Sequence, residues 1–145
     1  MKTTILALVL ASIVGLMYCS DESLAVTQET EDKELRVLQE SRRDTLKRVE
    51  VILDSKFKSG LTTANEVLNA RIPLLEAELE LARSQQERIA IFEKMLEVQT
   101  EVERNLSGMV NSGGGREGAG PVDLLTATAA RIKAEIDLYK AKKDQ

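Results

Sequence analysis

Residues 48–83 most constrain the fold, because they predict a helix, a tight turn and a second helix in direct succession. Apolar residues recur every three or four positions on both sides of the turn, which is the spacing of one helical face. Gly60 follows the first periodic run, and glycine is favoured just past a helix end because it accepts a left-handed backbone. Thr63 and Glu66 then match the capping box that starts a helix. Only about four residues join the two helices, so we expect antiparallel neighbours.

The same periodicity extends over most of the chain and predicts an all-α fold. Leu, Ala, Glu, Lys and Arg make up about half of the 145 residues, a composition typical of long helices and coiled coils. We expect antiparallel helical hairpins packed as a coiled-coil-like bundle of three to four helices. The predicted ranges are about 32–58, 64–83, 86–106 and 121–142. The number depends on residues 84–87, a second capping box without Gly or Pro, which permits either a tight break or a bent continuous helix.

Apolar stripes predict which side of each helix faces the core. In the second predicted helix the stripe consists of Leu68, Ile72, Leu75, Leu79 and Ala82. In the last predicted helix it consists of Leu125, Ile132, Ile136 and Tyr139. We expect an exposed helical seam to be covered by self-association or by a partner helix.

Several segments limit these helices. Pro73 lies inside the second predicted helix and predicts a kink, because proline removes a backbone donor. Residues 107–120 hold six of the eight glycines and predict a flexible loop. Pro121 follows at a first helical position, where its missing donor costs nothing. The polar residues 26–34 predict a frayed or disordered segment.

The helix after the first turn recurs near the C-terminus at an offset of 57 residues. Ala70 then aligns with Ala127, and Ala77 with Ala134. Chance agreement among Leu-, Ala- and Glu-rich helices is the alternative, and we favour duplication because the acidic helix start and the Ala spacing both recur. The predicted helical domain is 26–145, and its hairpin repeats are about 32–83 and 86–143.

The N-terminus predicts a signal peptide, residues 1–25. A short positive start precedes the apolar run 5–19, which is shorter than the roughly 20 residues of a membrane span. Ser23 and Ala25 are small residues of the kind that a signal peptidase recognises, so we expect cleavage after Ala25. Lipidation of Cys19 and retention of the segment as an anchor remain open, and they are the only membrane contacts that we expect. All three outcomes predict an exported protein of the periplasm or cell envelope.

The composition argues against an enzyme. The chain has no His, which removes the usual general base and the commonest metal ligand, and its one Cys is Cys19. Glu76 and Glu78 are two positions apart and therefore face different sides of a helix, which does not make an acid–base pair. We expect no catalytic residue, no cofactor and no metal. The net charge of −4 is also too close to balance to predict nucleic-acid binding.

The first turn and the helix after it resemble the hairpin tip of the TolC-type outer-membrane efflux family. The resemblance lies in an aromatic residue, Phe57, followed by Gly60, a short turn, an acid and an apolar residue at Glu66 and Val67, and Ala70 along the returning helix. It is limited to the helical hairpins, because no segment alternates apolar and polar residues over the roughly 10 residues that the family's barrel strands need.

The resemblance implies a function at the turns. Family members contain this hairpin twice, in a periplasmic helical barrel whose tips meet an adaptor protein. The implied tip residues are Gly60, Leu61, Glu66, Val67, Ala70 and Arg71, with Pro121, Asp123, Leu124 and Ala127 in the second copy.

Together these features favour an exported, non-enzymatic coiled-coil protein that contacts an envelope, efflux or export assembly. We expect protein partners at helix seams or hairpin tips, including a second copy of the chain. The alternative is a free-standing periplasmic scaffold or holdase-type chaperone that grips clients between its helices.

Overall fold

Four helices make up the described part of the chain. The computed structural model describes residues 21–112 and 120–144, with side-chain surroundings from residue 32 onward. The helices are α1 (Asp21–Lys58), α2 (Ala64–Leu81), α3 (Gln85–Asn111) and α4 (Pro121–Lys143). No strand occurs in these ranges, which confirms the predicted all-α fold.

The chain divides into two units, Met1–Leu38 and Gln39–Gln145. Of the first unit, the structure describes the N-terminal part of α1, where Leu35 and Leu38 are exposed. The second unit contains the rest of α1, the other three helices and the packing described below.

The ends of α1 and α3 correct two predictions. α1 begins at Asp21, so the polar residues 26–34 are helical rather than disordered. No Gly or Pro interrupts them, and Glu, Gln and Lys are good helix formers. α3 continues to Asn111, so the predicted loop loses its first five residues, and Gly108 is helical. A helical Gly costs about 1 kcal/mol relative to Ala, which one residue in a 27-residue helix tolerates.

The other boundaries differ from the prediction by one or two residues. α2 ends at Leu81 rather than at 83, because Ala82 has an extended backbone, with ψ of 128°. α4 ends at Lys143 rather than at 142. Pro121 occupies the first helical position, as predicted. α2 runs through Pro73 without interruption, and the kink there stays a prediction.

α2 and α3 are separate helices, so the break is confirmed and the continuous helix is wrong. Ser84 is extended, and its Oγ accepts a hydrogen bond from the Glu87 N–H at 3.2 Å. The Glu87 carboxylate accepts from the Arg83 N–H at 2.7 Å. In the predicted capping box the Glu87 carboxylate would accept from the N–H of Ser84. It accepts instead from the N–H of the preceding residue, Arg83. The chain turns within residues 82–84, and the bond between Asn105, near the end of α3, and Asn65, at the start of α2, shows that the two helices are antiparallel.

Successive helices are antiparallel neighbours. Arg42 of α1 donates to Glu80 of α2 at 2.5 Å, and Arg71 of α2 donates to Glu50 of α1 at 3.1 Å. α3 packs closely against α2 and against α4. The second unit is thus an up-and-down arrangement in which α3 has a packed neighbour on two sides.

A buried hydrophobic cluster joins α2 and α3 and reaches α4. It consists of Leu68, Leu75, Ile91, Val98, Val102 and Ala127. The remaining stripe residues of α2 pack against it, so the stripe predicted for α2 faces the core. Burying a Leu or Val side chain contributes about 1.5–3 kcal/mol relative to leaving it exposed.

Alanine lines the interface between α3 and α4. The buried residues of α4 are Ala127, Ala134 and Ala141, which are spaced seven apart on one helical face. The stripe of large apolar residues that the sequence marks on α4 is exposed. Small side chains allow two helix backbones to approach closely, whereas Leu or Ile at the same positions would hold them apart. The alanine face therefore packs, and the large side chains point away.

We expect Ala77→Leu to destabilise the bundle by about 1–3 kcal/mol in urea unfolding, because Ala77 is 0% exposed and a larger side chain must displace its neighbours. The matched control is Ala90→Leu, an exposed alanine of α3. Its effect on the free energy of unfolding should stay within about 0.5 kcal/mol. Equal effects of the two substitutions would contradict the assigned packing.

Candidate functional site

The first turn, residues 59–63, is built around Gly60, the glycine that has a left-handed backbone, with φ of +71°. The Gly60 N–H donates to the Phe57 carbonyl at 2.9 Å, and the Leu61 N–H donates to the Lys56 carbonyl at 2.9 Å. This pair of bonds is the Schellman motif, which satisfies carbonyls left over at a helix end. The predicted helix stop at Gly60 is confirmed.

A capping box leads from this turn into α2. The Thr63 Oγ1 accepts from the Glu66 N–H at 3.2 Å, and the Glu66 carboxylate accepts from the Thr63 N–H at 3.0 Å. The Thr62 hydroxyl also donates to that carboxylate. These bonds favour the charged form, so they lower the pKa of Glu66, with the Thr62 bond as the largest cause. The box predicted from Thr63 and Glu66 is confirmed.

The turn between α3 and α4, which we call the second turn, ends with a related cap. The Gly120 N–H donates to the Asp123 carboxylate at 2.7 Å at the start of α4. Asp123 is the third helical residue, as Glu66 is in α2, and a carboxylate in the first turn also complements the helix dipole. Residues 113–119 of this turn lie outside the described part of the chain.

The two turns lie at the same end of the second unit, because every helix is antiparallel to the next. The Asn105 amide, near the end of α3, donates to the Asn65 side chain at the start of α2 at 3.2 Å. On the other side of α3, the Thr128 hydroxyl of α4 donates to Glu103 at 2.6 Å. The starts of α2 and α4 are thus both bonded to the last part of α3.

Glu103 is the centre of the polar contacts between α3 and α4. Its second carboxylate oxygen accepts from Arg131 at 2.6 Å, and Arg131 also donates to Glu135 at 2.6 Å. The Thr128 hydroxyl bond is the largest cause that lowers the pKa of Glu103, and Arg131 lowers it further. A general acid needs a raised pKa, so these shifts suit a structural anchor that stays ionised.

The predicted tip residues differ in accessibility. Gly60, Leu61, Glu66, Pro121 and Asp123 are exposed; Ala70, Arg71 and Leu124 are half-buried; Val67 and Ala127 are buried. Val67 and Ala127 therefore pack inside the bundle and do not face outward. Arg71 is held by Glu50 of α1. Cys19, the predicted lipidation residue, lies outside the described residues.

A second exposed surface lies on α4, and the sequence did not single out α4 as the helix that carries the expected seam. We call it the α4 seam, and it consists of Val122, Leu125, Ala129, Ile132, Ile136 and Tyr139. The signal was present, because α4 carries both a seven-residue alanine repeat and a stripe of large apolar residues. Two opposed apolar faces on one helix indicate two packing partners, and among the helices in residues 21–112 and 120–144 only α3 is packed against α4.

The described helices offer no metal-binding cluster of three or more His, Cys, Asp or Glu side chains. In residues 21–112 and 120–144, no helix combines the length and the apolar character that crossing a membrane requires. A groove of about 250 Å³ lies where α1, α2 and α3 meet, and Lys47, Glu78 and Lys94 are among its lining residues. This charged lining is typical of a solvated surface between helices.

Comparison of the chain with protein-family models, with curated proteins and with solved structures gave no match. The resemblance to TolC-type hairpins therefore stays a prediction that depends on the residues of the two turns.

We expect Gly60→Ala and Gly108→Ala to change stability in opposite directions. Gly60→Ala should cost about 1–2 kcal/mol, because L-residues with a side chain disfavour the left-handed backbone. Gly108→Ala should stabilise by up to about 1 kcal/mol, because Gly108 is helical and a Cβ there meets nothing within 4 Å. Urea unfolding of both variants provides the measurement, and a shift of the same sign in both would contradict the assigned geometry.

We expect Thr128→Val to raise the pKa of Glu103 toward its ordinary value. A carboxyl whose pKa is lowered by folding stabilises the fold above its unfolded pKa, and the contribution is lost as pH falls through the folded pKa. Thr128→Val should therefore reduce the loss of stability on acidification.

NMR titration of the Glu103 side chain and urea unfolding at several pH values check this prediction. Thr126→Val is the control. Both hydroxyls, that of Thr126 and that of Thr128, donate to the backbone carbonyl four residues earlier. Thr126 differs because its hydroxyl bond does not reach a carboxylate. An unchanged Glu103 pKa in Thr128→Val would contradict the assigned bond.

Proposed function

We propose that this chain is an exported, non-enzymatic coiled-coil protein that contacts an envelope, efflux or export assembly through its turn end. The proposal combines the resemblance of the first turn to TolC-type hairpin tips with the position of both turns at one end of the second unit. The first turn and the start of α4 lie at one end of the helices, where both are tied to the last part of α3, and a site on such elements suits docking to another protein.

The observation that carries the proposal is the exposure of Leu61. Leu61 follows Gly60 in the Schellman motif, where an apolar residue usually packs back on the end of the preceding helix. The available positions there are Ser55 and Lys56, which offer little apolar surface, and Leu61 remains 76% exposed. An apolar side chain on a tightly bonded turn is a fixed contact point for a partner.

Export rests on the N-terminal sequence. The apolar run 5–19 and the small residues at Ser23 and Ala25 support a secretory leader. A periplasmic or envelope location would place the turns where an export assembly can reach them. Cleavage after Ala25, lipidation of Cys19 and a retained anchor all agree with this location.

The exposed apolar residues favour a second candidate, a holdase-type chaperone. Val49 and Ile52 of α1 are 41% and 54% exposed, and α4 carries the α4 seam. Apolar surfaces of this kind bind partially unfolded clients as well as partner helices. The two candidates differ in the surface used, because a holdase grips along helices and not at the turns.

We expect a photoreactive residue at Leu61 to trap a single envelope protein when cells are irradiated. The matched control position is Val51 of α1, which is 58% exposed but lies away from the turn. Because docking at the turns buries Leu61 and not Val51, adducts of defined mass should form at Leu61 only. Mass spectrometry of the purified adducts identifies the trapped protein.

Two results would contradict docking at the turns. Adducts that contain only this chain would show that no partner reaches Leu61. Many different adducts at both positions, together with suppressed aggregation of a denatured client by the purified protein, would favour the holdase.

A further inference from the structure

The α4 seam exposes large apolar side chains on the side of α4 that is opposite α3. Val122, Leu125 and Tyr139 are 73%, 68% and 71% exposed, whereas the buried positions of the helix hold alanine. Ile136 lies nine positions from Ala127, which is two and a half turns, so the two residues face opposite sides of the helix. A contiguous apolar stripe of this kind on a soluble surface marks an interaction site.

The spacing of the seam is that of a two-helix coiled coil. Its six residues follow one another at intervals of three, four, three, four and three. Intervals of this kind place every residue on one narrow seam facing a partner helix. The seam is about 27 Å long at the rise of an α-helix. One helix laid along it would cover all six side chains.

We infer that the partner is α4 of a second copy of this chain, packed antiparallel about a two-fold axis between Ala130 and Arg131. The order of intervals is the same in both directions, so the seam matches itself when reversed. The layers then pair Val122 with Tyr139, Leu125 with Ile136, and Ala129 with Ile132. The outer and central layers join a smaller side chain to a larger one, the Leu125–Ile136 layer joins two of equal size, and each contact occurs twice, as an isologous interface requires.

The charges beside the seam agree with this register. Residues that flank a coiled-coil seam set the orientation of the partner. In the antiparallel pair, Lys133 lies opposite Thr126 of the second copy, and Glu135 lies opposite Thr128. No like charges meet, and Lys133 keeps its ion pair with Asp137 at 2.7 Å in its own helix.

The buried area is sufficient for a specific but modest dimer. Covering the exposed parts of six seam residues on both copies removes roughly 1,000 Å² of surface, near the lower bound for specific interfaces. The apolar residues of α1 provide a poorer partner, because Arg42 and Thr45 interrupt their spacing and Arg42 is bonded to Glu80. The seam's own sequence is therefore its best match among the described helices.

This inference goes beyond the proposed function and does not depend on it, because the seam and the tip residue Leu61 are different surfaces. Self-association through α4 leaves Leu61 available whether or not a partner binds there. Failure of the cross-linking experiment at Leu61 would leave the dimer untouched, and the reverse is also true.

Sedimentation of the full chain, in a Cys19→Ser background, tests the dimer. Leu125→Glu places a charge in a layer opposite Ile136 and should weaken the dimer at least about tenfold. Val51→Glu is the control, since it adds the same charge at a similarly exposed apolar position of α1 and should leave association unchanged. Circular dichroism verifies that both variants keep their helix content.

The register is tested by opposite charges at Thr126. Thr126→Glu should tighten the dimer several-fold by facing Lys133 of the second copy, and Thr126→Lys should weaken it by a similar factor. In a parallel dimer Thr126 faces Pro121 instead, so the two charges would have equal effects.

Disulfide formation gives an independent result. Chains with Val122→Cys and chains with Tyr139→Cys, mixed and oxidised, should form mixed disulfides between the two kinds of chain. Val122→Cys chains alone should not cross-link, because the two positions lie at opposite ends of an antiparallel seam. A monomer at all concentrations, equal weakening by Leu125→Glu and Val51→Glu, or efficient cross-linking of Val122→Cys alone would overturn the inference.

Discussion

The close approach of α4 to α3 through alanine is the constraint on which the arrangement of the second unit depends. Ala127, Ala134 and Ala141 form one face at seven-residue spacing, and each is buried. An alanine interface contributes little apolar area, so its stability comes from dense contact between backbones and from bonds across it. Glu103 supplies those bonds by accepting from Thr128 and Arg131 of α4.

A narrow interface of this kind leaves the larger apolar side chains of α4 with no place inside the chain. They form the opposite face of the helix, where the chain has no packed neighbour in the described region. The more ordinary core lies between α2 and α3, where Leu68, Leu75 and Val98 are buried together. The second unit therefore combines an interface of large apolar residues between α2 and α3 with an alanine interface between α3 and α4. The exposed apolar face of α4 is the natural place for association.

The first turn and the start of α4 are fixed by local bonds rather than by the core. Gly60 closes α1 with a Schellman motif, and the carboxylates of Glu66 and Asp123 close the starts of α2 and α4. Caps of this kind keep their geometry without burial, which explains how Leu61 can be held in place while exposed. The bonded first turn and the capped start of α4 at one end give contact points whose positions do not depend on the partner.

Helix positions and turn chemistry could be predicted from the sequence, because they depend on residues close together in the chain: Gly60, the box of Thr63 and Glu66, and Pro121. The sequence predicted the end of α3 too early, since a single Gly108 does not stop a helix that neighbouring residues support. The sequence also marked the large apolar stripe of α4 without showing that the alanine face is the one that packs. Both faces of that helix are apolar and periodic, so local pattern cannot rank them. Only the tertiary structure decided that the alanine face packs, because the distance between α3 and α4 is set by the helices together and admits only small side chains.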